Sequence, residues 1–384
     1  MSVPHILFAL TADVRINTRA RKQIQAFQEA GMQVTVVGLE TKAAHHVPLP
    51  PFIRWFPLNV APHKGPAFFL AWHRALSRYL SQLPPADVYH ASDLYVLPAL
   101  AHTARRHQAR LVYDARERYP YVAGTAGKLL AQRFWYHLER HYIRQADVVL
   151  TVSHSLARAL EQDYAIPSPL LLPNVPRYRP ISRTDHLRNH LGIPSHMPIL
   201  LHQGVMKPGR GAPLLLDAMR DIPDAALVFM GHGPLQEVLQ HQTHQLNLQD
   251  RVYFMPPVPP ETLLSWTASA DAGISLLEDI CYNHHVALPN KVFEYLMAGL
   301  PVLVSALPEM KRFVEHYQVG LAVQPANRDA LVTALRQLAF DTHVRERLRS
   351  RIPEVWKDYS WERYMKRVID TYRHLLASQS VTSS

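Results

Sequence analysis

The chain has 384 residues, 48% of them hydrophobic, and carries 41 Lys and Arg against 31 Asp and Glu, a formal charge of +10. That length exceeds a single core and predicts two domains, while the lone cysteine, Cys281, excludes an internal disulfide or thiolate cluster and fits a reducing cytoplasm. The positive balance favours anionic partners, but the basic residues are spread along the chain without aromatic interleaving, so nucleic acid is not expected among them.

In chain order, residues 1–4 lead straight into a strand-sized apolar run instead of a secretory leader, and no later segment is apolar for long enough to span a bilayer. Short apolar runs at 6–10, 34–37, 88–90, 111–113 and 148–152 read as strands, and the periodic stretches 17–30 and 132–145 read as helices. The stretch 66–80 mixes aromatic, aliphatic and basic residues at helical spacing, so it is either a buried helix or one resting on an anionic membrane. Proline then interrupts the rhythm at Pro167, Pro169, Pro173, Pro176 and Pro180, where a linker belongs. Strand-sized runs resume at 199–202, 227–230, 252–255, 273–277, 302–305 and 321–323, with helical patterns at 212–219 and 328–339. The expected fold class is α/β: an N-terminal domain 1–175, a linker 176–195, a second doubly wound domain 196–360, a terminal helix 361–376 and a frayed tail 377–384. In parallel sheets, ligands bind beyond the carboxyl ends of the strands, here in a cleft between the domains.

The most informative segment is Pro289-Asn290-Lys291-Val292-Phe293-Glu294-Tyr295, followed by Gly299-Leu300-Pro301-Val302. Pro289 suits the first helical position, Gly299 ends the helix and Pro301 forbids its continuation. Free amides at such a start, with the positive helix dipole, stabilise a phosphate, and Lys291 adds a full charge. Glu294 is placed to accept from ribose hydroxyls. A capped surface helix with an ordinary Lys and Glu is the plain alternative.

This segment resembles the donor-site signature of the group 1 (GT4-type) retaining glycosyltransferases, which have the GT-B fold of two Rossmann-like domains. The resemblance extends to Gln203-Gly204-Val205-Met206-Lys207-Pro208-Gly209-Arg210-Gly211, to Gly231-His232-Gly233-Pro234, and to strand ends around His90, Asp114 and Ser153. It implies a nucleotide-diphosphate sugar as co-substrate and a glycan or lipid-linked acceptor in envelope polysaccharide or glycolipid assembly. It also implies retention, with the departing phosphate oxygen helping to deprotonate the acceptor hydroxyl, and a terminal helix that crosses back to the first domain. Arg210, Lys291 and Glu294 become the catalytic set, and Gly204, Gly211, Gly231, Gly233, Pro289 and Asn290 the donor-binding set. His90, Arg116, Glu117, Asn283 and His284 are candidates on the acceptor and sugar side, and Glu278 borders the pocket or ends a strand. Three positions depart from the family pattern: Val286 replaces a Glu, Val205 an Arg and Arg116 a His.

No cofactor and no metal are expected. The chain has no Asp-x-Asp triplet to hold a divalent cation, and the pairs His137/His141, His241/His244 and His284/His285 lack a third ligand at a recognisable spacing. A sugar-nucleotide epimerase on the same architecture and a non-catalytic glycan-binding member remain the alternatives. A cytoplasmic protein, free or peripheral at an anionic membrane face, is the expected setting.

Overall fold

The computed structural model describes residues 3–45, 47–61 and 65–382 and contains two compact units, Met1–Asn174 with Glu362–Ser384, and Val175–Trp361. In the first unit, seven parallel strands are β1 (His5–Leu10), β2 (Gln33–Leu39), β3 (Arg54–Leu58), β4 (Val88–Ala91), β5 (Arg110–Ala115), β6 (Val148–Thr151) and β7 (Leu170–Leu171), in the order β3-β2-β1-β4-β5-β6-β7. Helices α1 (Thr18–Glu29), α2 (Gly65–Leu80), α3 (Leu97–Arg106), α4 (Leu129–Ile143) and α5 (His154–Tyr164) accompany them.

The second unit holds the parallel strands β8 (Ile199–Gln203), β9 (Ala226–Met230), β10 (Val252–Met255), β11 (Ala272–Ser275), β12 (Val302–Ser305) and β13 (Gly320–Val323), ordered β10-β9-β8-β11-β12-β13. Its helices are α6 (His186–Leu191), α7 (Ala212–Ala218), α8 (Gln236–Gln245), α9 (Leu263–Thr267), α10 (Tyr282–His285), α11 (Asn290–Met297), α12 (Pro308–Tyr317), α13 (Arg328–Phe340) and α14 (Thr342–Asp358). The last helix, α15 (Trp361–Thr382), joins the first unit from Glu362 onward.

Local chemistry sets many of these boundaries. Asn17 caps α1 by accepting from the Ala20 amide at 3.0 Å, and Ser153 caps α5 through the Leu156 amide at 3.2 Å. Two short strands escaped the sequence pattern, β3 and β7. Both lie at sheet edges, where Pro57 within β3 removes a ladder donor without penalty. The stretch 176–195 is not a bare linker: it belongs to the second unit and carries α6. The helix predicted over 361–376 runs on to Thr382, and Ser378 accepts a hydrogen bond from Arg110 at 2.9 Å. Positions 383 and 384 lie outside the described residues. Tyr372 fastens α15 to the first sheet through a 2.5 Å hydrogen bond with His90 and a 4.7 Å ring contact with Phe27.

One buried carboxylate in the first unit has a measurable consequence. Glu139 on α4 is fully buried and accepts from Tyr113 at 2.7 Å and Tyr164 at 2.8 Å. Burial outweighs those two donors and pushes its carboxyl from 4.5 up to about 7. The folded state therefore holds this proton more tightly than the unfolded chain does. Stability from this group is full below pH 4.5 and declines, on the order of 3 kcal/mol, as pH rises to about 7. Glu139→Gln is expected to flatten that decline in thermal unfolding followed between pH 4 and pH 8.

Candidate active site

The strand order of the second sheet reverses between β8 and β11, which pair through Ala272 with Leu200 and Gly273 with Leu201. Such a switch point leaves backbone groups at the strand ends without ladder partners. Tyr295 of α11 fills the gap: its hydroxyl accepts from the Gln203 amide at 2.8 Å and donates to the Ile274 carbonyl at 3.1 Å. Only glycine fits at 273, since a Cβ there would sit 2.1 Å from the Tyr295 ring. The same α11 is thereby fixed across the ends of both strands.

From that position Glu294 reaches Gln203, whose side-chain amide donates to the Glu294 carboxylate at 2.6 Å and whose carbonyl accepts from Thr267 at 2.9 Å. The carboxylate is thus oriented by a side chain that is itself held from behind. Gln203 and Thr267 are both buried, and Glu294 is half-buried.

Lys291 occupies the first turn of α11 with only 7% of its surface exposed, and its ammonium nitrogen has no hydrogen-bond partner among the described residues. Burial is the main reason its pKa drops from 10.5 to about 7; the Arg210 charge adds to the drop, and Glu294 opposes it. His202, buried beside Gln203 on β8, also lacks partners for both ring nitrogens among the described residues. Burial, then the charges of Lys291 and Arg210, hold its imidazole well below the ordinary range, so it is neutral. Sequence reasoning missed His202 and the role of Gln203; their place immediately before Gly204 was the available signal.

Pro289 is the residue before the helix, not its first member: it has φ −62° and ψ 141°, and Asn290, exposed, begins α11. No side chain caps this start among the described residues. The loop 204–211 lies beside it. Glu278 receives the Gly211 amide at 3.1 Å, and the Glu278 amide donates to the Gly209 carbonyl at 3.0 Å, so this carboxylate braces the loop carrying Arg210. His284 accompanies it, its Nδ1 2.5 Å from the Glu278 carbonyl oxygen, and Asn283 precedes it in α10.

The glycines at 231 and 233 serve packing more directly than expected. A Cβ at Gly231 would meet the Gly204 carbonyl oxygen at 2.1 Å, and one at Gly233 the Met206 oxygen at 2.2 Å. They allow the turn after β9 to press on the loop after β8. Gly204 is exposed at that contact, and Val286, where a Glu was the expected residue, is buried.

The other candidates belong to the first unit. His90 is not a site residue open to ligand: it is fully buried, stacked on Phe8 at 4.2 Å, and burial pushes its imidazole down to about 4. Arg116 is half-buried, 3.8 Å from Asp93, and Glu117 is exposed. Burial works against the Arg116 charge, but Tyr119, Asp93, Asp114 and Glu117 hold its pKa above the ordinary range. Asp93 spans the switch point of this sheet by accepting from the Thr11 amide at 2.7 Å and hydroxyl at 2.9 Å.

Two family profiles tile the chain: the glycosyl transferase 4-like domain over residues 16–174, and glycosyl transferases group 1 over residues 183–355. Both units of the chain are therefore similar to glycosyltransferases. Among curated relatives, the chain is 27% identical over 194 residues to an uncharacterised glycosyltransferase of Methanocaldococcus jannaschii, covering 49% of this chain and 48% of that one. It is 28% identical over 170 residues to the lipopolysaccharide core biosynthesis glycosyltransferase LpsD of Rhizobium meliloti, covering 44% and 46%. These matches thus span about half the length of the curated relatives. A solved structure of Anabaena HepE in complex with UDP and glucose shares the fold with a TM-score of 0.77 at 17% identity, over 96% of this chain and 99% of that one. The two Rossmann-like sheets are accordingly those of the GT-B fold. Among the described residues no helix is long and apolar enough to cross a membrane, and no three His, Cys, Asp or Glu are grouped to hold a metal ion.

Proposed function

We propose that the chain transfers a sugar from a nucleotide-diphosphate sugar to an acceptor hydroxyl, with retention at the anomeric carbon and without a metal. The observation that carries this reading is the buried ammonium of Lys291 at an uncapped helix start, with Arg210 beside it. A buried cation without a hydrogen-bonded counter-charge is costly, and a diphosphate supplies one. Lys291 and Arg210 would neutralise the leaving nucleotide as the sugar–phosphate bond breaks, while the departing oxygen takes the proton of the acceptor hydroxyl. Glu294 would hold the ribose hydroxyls.

A uridine nucleotide is favoured by HepE's complex with UDP and glucose, and LpsD's role in lipopolysaccharide core biosynthesis favours a glycan or lipid-linked acceptor of the cell envelope. Incubation with a panel of radiolabelled sugar nucleotides and a lipid extract tests the reaction: labelled glycan or glycolipid is expected, and a nucleotide that binds without any transfer overturns it. That second outcome would fit a non-catalytic member, which the apolar, buried Val286 favours.

Gln203→Leu probes the carboxylate. With its orienting donor gone, Glu294 is expected to hold ribose less well, weakening UDP binding about 5- to 10-fold by isothermal titration. Unchanged affinity would remove Glu294 from the ribose role.

A further inference from the structure

We propose that the α2–α3–α4 face of the first unit is a docking surface for an anionic lipid bilayer, led by the exposed start of α4. The large side chains of α2 do not supply the contact directly, because Phe69, Trp72, Leu76 and Leu80 are buried in the unit. The apolar surface lies at its flank instead. Leu129 and Leu130 are 73% and 85% exposed, Phe134 is 52% exposed one turn after Leu130, and Leu70 of α2 is 54% exposed. An aromatic seam joins the two helices, since Phe134 lies 6.3 Å and Trp135 5.1 Å from the ring of Phe69, the neighbour of Leu70. Further along, His73 of α2 faces His102 of α3, and His102 faces Tyr142 of α4, so the three helices form one layer.

The charge on this layer has one sign. Arg74, Arg78, Arg105, Arg106, Arg133 and Arg140 are all exposed, and none forms an ion pair among the described residues. The only acidic residue in the three helices is Glu139, which is fully buried. Exposed leucines and a phenylalanine on the same three helices as unpaired arginines match an anionic headgroup layer over an acyl phase. A second copy of the same face fits less well, because a two-fold contact would set like charges against each other.

The test does not depend on transfer activity, because the full chain is sedimented with vesicles in the absence of any sugar nucleotide. Binding is expected to phosphatidylcholine vesicles containing phosphatidylglycerol at low salt, weakening at high salt. Leu130→Ser with Phe134→Ser, and separately Arg74→Glu with Arg133→Glu, are each expected to lower the partition coefficient at least about 10-fold. Arg347→Glu, an exposed change in the second unit, is expected to leave it unaltered. These side chains are exposed, so the variants are expected to fold, which circular dichroism checks. Absence of binding at low salt, equal binding to pure phosphatidylcholine, or undiminished binding in both double variants overturns the proposal. So does a dimer in solution that dissociates in the Leu130/Phe134 variant without any vesicle binding, which assigns the face to a second copy.

Discussion

Lys291→Met is expected to lower sugar transfer about 10²- to 10³-fold, the range for removing one preorganised charge from a leaving-group site, while raising the thermal midpoint of the ligand-free protein. The two effects have one cause. In the absence of ligand the Lys291 ammonium is buried without a hydrogen-bond partner among the described residues, and its pKa stands at about 7 instead of 10.5. For a base depressed on folding, the stability contribution is full above pH 10.5 and falls as pH drops to about 7, below which both states are charged. At pH 7 the penalty is on the order of 4 kcal/mol, and methionine, of similar length and apolar, removes it.

A bound diphosphate reverses the balance by supplying a counter-charge in direct contact. Above pH 7, binding then requires proton uptake by Lys291, and affinity for UDP is expected to weaken by up to about 10-fold per pH unit. Titration calorimetry at pH 8 in buffers of different ionisation enthalpy reads this proton directly. A methionine variant that binds UDP as tightly as the natural chain, with no change in proton uptake, would eliminate Lys291 as a phosphate ligand.

Asp114→Ala is expected to destabilise the first unit by about 3–5 kcal/mol, the usual cost of leaving one member of a buried ion pair alone. Arg19 of α1 grips the Asp114 carboxylate with Nε at 2.9 Å and Nη2 at 2.8 Å, Gln23 adds a third donor at 3.0 Å, and Arg19 Nη1 reaches the Leu172 carbonyl at 2.8 Å. Burial alone would raise the Asp114 pKa, but the Arg19 charge and hydrogen bonds outweigh it and the net shift is downward. The stability it contributes is therefore present above pH 3.8 and lost as pH falls through the depressed value. Combining Arg19→Met with Asp114→Leu removes both charges and is expected to recover most of the loss. Urea unfolding of both variants measures this, and an Asp114→Ala chain within about 1 kcal/mol of the natural one, the upper end of the range for exposed pairs, would deny the pair its structural role.

Much of the fold was legible because strand and helix periodicity survives in short stretches. The runs at 252–255 and 302–305 coincide with β10 and β12, and Asn17 marks the start of α1 by its capping chemistry. Strands β3 and β7 of the first sheet were not legible, because Pro57 interrupts β3 and β7 is only two residues long. The exposed start of α4 at Leu129 and Leu130 was also missed, since its apolar residues fall outside the buried stripe that periodicity detects.

The site divides along the same line. Lys291, Glu294 and Arg210 were readable because a Pro-x-Lys-x-Phe-Glu-Tyr segment and a glycine-rich loop are local patterns. Gln203, His202 and Thr267 were not, since a hydrogen bond such as Gln203 to Glu294 spans 91 positions of chain. His90 shows the converse: a strand-end histidine carries no mark of its burial, which depends on Tyr372 arriving from the last helix, 282 positions later. The amino-acid sequence by itself determined the two parallel α/β units and the helix that presents Lys291, because propensity, capping and apolar period act over a few residues. Only the tertiary structure decided which charges are buried without a partner, which carboxylates are held in place and which apolar tips stay exposed, because desolvation and side-chain reach depend on neighbours brought together from distant parts of the chain.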